Sequence, residues 1–117
     1  MPASLSLTAA WILLFIAGLL EIVWSVSMKA SAGFTKLHFT ALTLAAAGLS
    51  FWLLGLAMRT LPVGTAYAVW TGIGAVGAAL LGIVLFGEAL TLSRVVCICL
   101  IVVGILGLKL FSGDSAG

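Results

Sequence analysis

Residues 7–28 read LTAAWILLFIAGLLEIVWSVSM, and Glu21 is the one ionisable side chain in this largely apolar run. About 20 apolar residues are needed to cross the roughly 30 Å of hydrocarbon in a bilayer, so the run predicts a transmembrane helix. A carboxylate near the bilayer centre costs about 2.5 to 3.5 kcal/mol on insertion scales. Membrane proteins keep such groups where they bind a cation, a proton, or each in turn. The run therefore predicts both a membrane fold and a functional acid.

Three further apolar stretches follow the first one. The sequence of 117 residues is 64% hydrophobic and 7% charged, which leaves too little polar surface for a soluble globule. We predict an all-α membrane protein with one four-helix transmembrane domain over residues 1–117 and helices at approximately 7–30, 38–58, 61–86 and 90–111. We expect the first helix to be retained and not cleaved as a signal peptide, because no Lys or Arg precedes it.

The basic residues are scattered and nearly balanced across the predicted membrane. A net charge of +2 without any basic cluster indicates that nucleic acid is not a partner. Lys and Arg in short loops favour the cytoplasmic side. Four spans place Arg59 and Lys109 on one side, against Lys29, Lys36 and Arg94 on the other. This near balance predicts insertion in both orientations, and the alternative is one orientation fixed by the small bias.

The first helix carries a polar face around its acid. Trp24 and Ser25 follow Glu21 at i+3 and i+4, which places them on the same side of the helix. Both can donate a hydrogen bond to the ionised carboxylate, whereas burial favours the protonated form. We therefore predict a binding site for protons and cations at Glu21, Trp24 and Ser25. For Trp24 the alternative is an interfacial aromatic residue.

Aromatic and hydroxyl side chains on the second and third helices complete the predicted site. Tyr67 and Trp70 lie three residues apart on the third helix, and their π-faces attract cations. Ser50 lies near the middle of the second helix and can join a polar ring around Glu21. The alternatives are packing or lipid-facing roles for the aromatic rings, and a bond from the hydroxyl to its own helix backbone.

Small residues indicate where helices bend or approach each other. Gly72 and Gly74 place two poor helix formers in the middle of the third helix, which predicts a hinge or a close packing position. Gly104 lies on a side of the fourth helix that suits helix association. Cys97 and Cys99 are two apart on a helix and point apart, so we expect neither a disulfide nor a metal site, and no cofactor.

Residues 18–35 (GLLEIVWSVSMKASAGFT) and 61–74 (LPVGTAYAVWTGIG) strongly resemble the small multidrug resistance family of four-helix transporters. The resemblance runs nearly end to end with matching spacing. It implies an antiparallel, dual-topology homodimer in the bacterial inner membrane that exchanges protons for cationic substrates. Trp24 and Lys109 look like the guanidinium exporter branch of the family. Cys97 departs from a glycine that some members have in the fourth-helix dimer contact, which leaves the detail of that contact open.

The resemblance also implies how the site residues act together. Glu21 would be the shared proton and substrate carboxylate, surrounded by Trp24, Ser50, Tyr67 and Trp70. We therefore expect a secondary active transporter, not an enzyme, that exports guanidinium and small substituted guanidinium cations by antiport with protons. Its other partners would be the lipid bilayer and a second copy or a paralogue. Two alternatives stay open: export of quaternary ammonium or polyaromatic cations, and a non-transporting assembly subunit in which the acid only joins helices.

Overall fold

The computed structural model describes residues 6–112 and places four α-helices along that part of the chain. They are α1 (Leu7–Ala30), α2 (Leu37–Ala57), α3 (Val63–Phe86) and α4 (Leu92–Ser112). All four are long and apolar enough to cross a membrane, which confirms the predicted all-α class with four spans. At 1.5 Å per residue the 21 residues of α2 extend about 31 Å, close to the thickness of the hydrocarbon layer.

The start of α3 lies two residues later than the approximate sequence boundary. Pro62 precedes the helix with an extended backbone (φ −59°, ψ 144°). Because a proline disfavours helical geometry in the residue before it, Leu61 lies outside the helix and α3 begins at Val63. The ends of α2 differ from the sequence expectation by one residue each.

The start of α4 also lies two residues beyond the sequence estimate, because the turn before it has its own structure. Gly87 ends α3 in the left-handed region, with φ of 66°. The hydroxyl of Thr91 accepts a hydrogen bond of 3.2 Å from the backbone N–H of Arg94. This side chain caps a helix that begins at Leu92.

The connection between α1 and α2 is a tight turn that depends on Ser31. Its side chain is fully buried and donates a hydrogen bond of 2.7 Å to the carbonyl of Met28. The same oxygen accepts the N–H of Phe34 at 3.0 Å. Ala32 and Phe34 adopt positive φ angles of 52° and 68°, which cost about 1 to 3 kcal/mol each outside glycine. The hydrogen bonds of Ser31 hold the turn in this conformation.

The helices form a thin plate in the spatial order α2, α1, α3, α4. Within residues 6–112, α1 packs against α2 and α3, and the backbone of α4 approaches α3 alone. The extents of the plate are 42 × 36 × 16 Å. The core consists mainly of side chains from the first three helices, namely Ala10, Leu14, Ala17, Leu54, Ala57, Leu61, Ala66, Val69 and Trp70. No residue of α4 between 92 and 111 is buried, so this helix is open to lipid or to a second protein.

Candidate functional site

Glu21 lies in the middle part of α1, against the backbone of α3. It is about 21 Å from Leu7 along a helix of 24 residues that extends about 36 Å. A Cβ atom added to Gly74 would lie 2.6 Å from Cγ of Glu21 and would overlap its carboxylate. On the other helix, a Cβ atom added to Gly18 would lie 2.7 Å from Cγ2 of Ile73. Two glycines thus allow α1 and α3 to approach closely at the depth of the acid.

The carboxylate of Glu21 has no protein partner within residues 6–112. Its Oε1 atom is buried and receives no hydrogen bond from that part of the chain. The ion pair found there joins two other residues, Glu88 and Arg94. Desolvation of an unpaired ion costs several kcal/mol even after local relaxation. A bound cation or a proton on the carboxylate would offset this cost.

Ser50 and Trp70 form a buried hydrogen-bonded chain beside this position. The indole Nε1 of Trp70 donates to Oγ of Ser50 at 2.9 Å, and that hydroxyl donates to the carbonyl of Ala17 at 2.7 Å. Both side chains are buried. The chain joins α3, α2 and α1, and it meets α1 one turn before Glu21. It therefore fixes the orientation of the Trp70 ring and the relative position of the three helices.

Four aromatic rings form a continuous row that includes three residues predicted for the site. Tyr67 contacts Trp70 with a ring-centroid distance of 5.5 Å, and Trp70 contacts Phe51 at 5.5 Å. Phe51 in turn contacts Trp24 at 6.1 Å. Sequence reasoning missed Phe51 because it is adjacent to Ser50 and therefore lies off the polar face of α2. The aromatic pair at positions 51 and 52, next to that serine, is the signal that could have identified it.

Ser25 bonds to its own helix and lines a cavity, and its predicted role in binding stays a prediction. Its hydroxyl donates to the carbonyl of Ile22 at 3.1 Å, a bond to its own helix. The side chain lines a cavity of about 280 Å³ near the ends of α1 and α3, together with Val26, Lys29, Ala78, Ala79, Gly82, Phe86, Glu88 and Arg94. The structure therefore places Ser25 one helical turn after Glu21, in the lining of this cavity, with its hydroxyl bonded to the backbone.

A larger groove of about 580 Å³ lies toward the opposite end of α1. It is lined mostly by apolar side chains of α1, α3 and α4, among them Phe15, Ile73 and Ile105. The ammonium of Lys109 lies at its edge, 5.0 Å from the ring centre of Trp11. Glu21 lines neither cavity and lies between the two along α1. The groove offers apolar contact area and contains no carboxylate.

The predicted small-residue positions differ in their surroundings. α3 is continuous through Gly72, where an added Cβ atom would lie 2.8 Å from Cδ1 of Ile105 on α4. An added Cβ atom at Gly104 would meet nothing within 4 Å. Cys97 and Cys99 are free and exposed. Gly72 and Gly74 thus serve close packing in this structure, the hinge stays a prediction, and Gly104 faces open space.

The fold and the site define a small four-span membrane protein with an acid in the middle part of its first helix that has no partner among residues 6–112, and with a row of aromatic rings that includes Trp24 on the same helix. The family model of the Small Multidrug Resistance proteins matches residues 9–101, and the chain belongs to this family. The identity to its curated relatives extends over nearly the whole length of those proteins.

Three of these relatives are named guanidinium exporters. The protein of Yersinia pseudotuberculosis is 57% identical over 103 residues, which cover 88% of this chain and 99% of that protein. The protein of Citrobacter freundii is 58% identical over 101 residues, or 86% of this chain and 96% of that protein. The protein of Proteus vulgaris is 53% identical over 103 residues. These matches confirm the predicted family and the likeness to its guanidinium exporter branch.

Proposed function

We propose that this chain exports guanidinium and small substituted guanidinium cations in exchange for protons, with Glu21 as the shared site. The strongest support is the buried Oε1 atom of Glu21, which has no hydrogen-bond donor among residues 6–112. A guanidinium ion offers a planar fork of N–H donors and a positive charge, and a carboxylate accepts both. The relatives named guanidinium exporters point to the same cargo.

Because the proton and the guanidinium cation compete for one carboxylate, their movements across the membrane are coupled. A proton removes the charge that attracts the cation, and a bound cation occupies the oxygens that would accept the proton. An empty, ionised Glu21 is costly to enclose, so access switches from one side to the other when the site is occupied. An inward proton gradient then drives the cation outward.

The aromatic row and its hydrogen bonds shape the site around the acid. The bond from Trp70 to Ser50 orients the indole ring. The ring faces of Trp24, Tyr67 and Trp70 provide π-electron density that adds up to about 2 kcal/mol for a desolvated cation. Ser25 acts at the outer edge of this site, where it lines the neighbouring cavity. An uncharged compound with similar donors, such as urea, gains none of the charge interaction and is excluded.

The working unit in this proposal is an antiparallel homodimer in the inner membrane of a bacterial cell. The near-balanced Lys and Arg count supports insertion in both orientations. The thin plate, the lack of buried residues in α4 between 92 and 111, and the open surface at Gly104 support a second chain as the missing cover. Two Glu21 side chains in one dimer would titrate as a coupled pair.

Proteoliposomes test the cargo and the role of the acid together. The wild-type protein should exchange protons for guanidinium and for singly substituted alkyl guanidiniums, and it should not transport urea. Glu21→Gln should insert and dimerise but neither bind the cation nor release protons, whereas Glu21→Asp should retain binding with a shifted pH profile. Full exchange by Glu21→Gln would refute the shared site.

Export of quaternary ammonium or polyaromatic cations is the second candidate. The row of four aromatic rings and the apolar groove of about 580 Å³ are the observations that favour it. The same liposomes should therefore receive tetraalkylammonium and a polyaromatic cation beside guanidinium. Exchange of these bulky cations without exchange of guanidinium would replace the first candidate with the second.

Reporter fusions at the C-terminus test the dual topology. A wild-type population should give signal from both sides of the membrane, because the charge bias is small. Added lysines in the tail combined with neutral residues at Lys29 and Lys36 should force one orientation and abolish transport. An oppositely biased copy should restore it. A wild-type chain found wholly in one orientation would refute this part of the proposal.

A further inference from the structure

The smaller cavity is already lined by a guanidinium group of the protein itself, that of Arg94. Nη2 of Arg94 lies 2.8 Å from Oε1 of Glu88. The same nitrogen donates to the carbonyl of Ala79, and Nη1 donates to the carbonyl of Ala89, both at 3.4 Å. One carboxylate and two backbone carbonyls thus surround a planar cation of the same chemistry as the proposed cargo.

The carboxylate of this cluster contacts α3 in the same way as Glu21 does. An added Cβ atom at Gly82 would lie 2.8 Å from Cδ of Glu88 and would overlap its Oε1 atom. Gly74 has the corresponding contact with Glu21. The two glycines are eight residues apart, so they are separated by about 12 Å along the helix axis. A row of small residues on α3 therefore has one carboxylate at each end.

The cavity reaches from Glu88 to within one helical turn of the contact between Glu21 and Gly74, and Glu21 itself does not line it. Ser25 and Ala78 line its inner part. Ser25 lies one helical turn after Glu21, and Ala78 lies one helical turn after Gly74. Glu88 and Arg94 line its outer part, beyond the end of α3. Its volume of about 280 Å³ has room for several water molecules of about 30 Å³ each, and hence for a small hydrated cation.

The internal ion pair is well placed to open. The side chains of Arg94 and Glu88 retain 30% and 37% of their accessible surface, and ion pairs with this exposure contribute little stability. The two bonds from Arg94 to backbone carbonyls are long, at 3.4 Å. A free guanidinium ion can make the same contacts when the arginine side chain moves away.

We propose that Glu88 and the carbonyl groups of Ala79 and Ala89 form a second, peripheral guanidinium site, in which Arg94 is a tethered competitor that the cargo displaces. The site would lie at the outer end of a cavity whose lining begins one helical turn after Glu21, and in this proposal the cargo passes it on the way between water and Glu21. This inference rests on the proposed export of guanidinium. Weak binding suits this position, since a site on a permeation route has to release its ion as readily as it accepts it.

The peripheral site is tested by guanidinium exchange in proteoliposomes, measured over a range of guanidinium concentrations. Glu88 should bind the cargo and Arg94 should compete with it, so their variants should shift KM in opposite directions. Glu88→Gln removes the acceptor and should raise KM about two- to fivefold with little change in kcat. Arg94→Gln removes the competitor and should lower KM by a similar factor. The double variant should behave like Glu88→Gln. If the ion pair is only a structural link, both single variants change KM in the same direction or leave it unchanged, and the proposal fails.

Lys29→Gln is the matched control for a general effect of charge, because Lys29 lines the same cavity without an ion pair to Glu88. Its effect on KM should be smaller than that of Arg94→Gln. An equal decrease would show that only the electric field matters and would overturn the competitor role.

Glu88→Asp takes the place of Glu88→Gln where the latter aggregates on size exclusion. A raised KM of Glu88→Asp supports the peripheral site, and an unchanged KM overturns it.

The wild-type protein in the same liposomes separates this inference from the proposed function. Absence of guanidinium exchange by the wild-type protein would remove the proposed function itself. Normal wild-type exchange, combined with variants of Glu88 and Arg94 that fail to move KM in opposite directions, would remove the peripheral site and leave the function at Glu21 intact.

Discussion

Replacement of Gly74 by alanine tests whether the close contact between α3 and Glu21 positions the acid. The added Cβ atom would lie 2.6 Å from Cγ of Glu21 and would overlap the carboxylate. Carbon atoms in contact are normally about 3.5 to 4.0 Å apart, so the two groups have to separate by about 1 Å. Either the carboxylate moves within the site or α1 moves away from α3.

The expected cost has a structural part and a functional part. Overpacking destabilises a protein by about 1 to 3 kcal/mol, and the higher helix propensity of alanine offsets up to about 1 kcal/mol. A net loss of about 0 to 3 kcal/mol is below the roughly 5 to 15 kcal/mol typical of folded proteins, so we expect Gly74→Ala to fold. A shift of the carboxylate by about 1 Å removes one hydrogen bond to the cargo, and a bond to a charged group contributes about 1.5 to 3 kcal/mol. The guanidinium KM should therefore rise about 10- to 100-fold.

Guanidinium exchange in proteoliposomes, measured across a range of concentrations, gives this KM directly. Gly55→Ala is the matched control, because a Cβ atom at Gly55 meets nothing within 4 Å. The control should keep the wild-type KM and should be as stable as the wild type or slightly more stable. A folded Gly74→Ala protein with the wild-type KM would refute the idea that this contact sets the position of Glu21.

Three further outcomes follow from the same structure. Ser50→Ala leaves the indole N–H of Trp70 without its acceptor and should cost about 1 to 3 kcal/mol, seen as a lower unfolding temperature in detergent; an unchanged temperature would contradict the buried hydrogen bond. Lower pH should raise the guanidinium KM by up to about tenfold per pH unit, because each competing proton neutralises Glu21. A constant KM between about pH 6 and 8 would show that the proton and the cargo bind at different sites. Ser31→Ala should destabilise the α1–α2 turn by about 1 to 3 kcal/mol, and resistance to protease equal to that of the wild type would argue against its role there.

The four spans could be predicted because the membrane signal is local. Each apolar run carries its own evidence, and about 20 residues are enough to identify a span. The ends of the helices depend on turn chemistry that composition does not reveal. Because of Pro62, α3 begins two residues after the predicted start, and with the cap from the Thr91 hydroxyl α4 also begins two residues after its predicted start. The spatial order α2, α1, α3, α4 also required the structure, because all four helices are apolar around most of their surface.

The candidate site could be predicted only in part. Glu21 stands out because a carboxylate in an apolar run is conspicuous in any sequence. Phe51 does not stand out, since its contacts with Trp24 and Trp70 arise from the packing of different helices. Helical spacing placed Ser25 on the same face as the acid. It did not predict the hydrogen bond from the Ser25 hydroxyl to the backbone carbonyl of Ile22. Spacing within one helix identifies neighbours along that helix, and contacts between helices need the fold.

Two carboxylates with the same chemistry lie in different surroundings along α3. Glu21 has a buried oxygen and no donor within residues 6–112, whereas Glu88 is partly exposed and paired with Arg94. Charge interactions strengthen as the surrounding dielectric constant falls, so a cation bound at Glu21 gains more than one bound at Glu88. Desolvation of Glu21 also costs more than that of Glu88, and in the proposed function the proton or the cargo offsets that cost. In the proposed export cycle, a cation that reaches Glu88 is therefore held loosely and exchanges with water, and one that reaches Glu21 leaves when a proton replaces it.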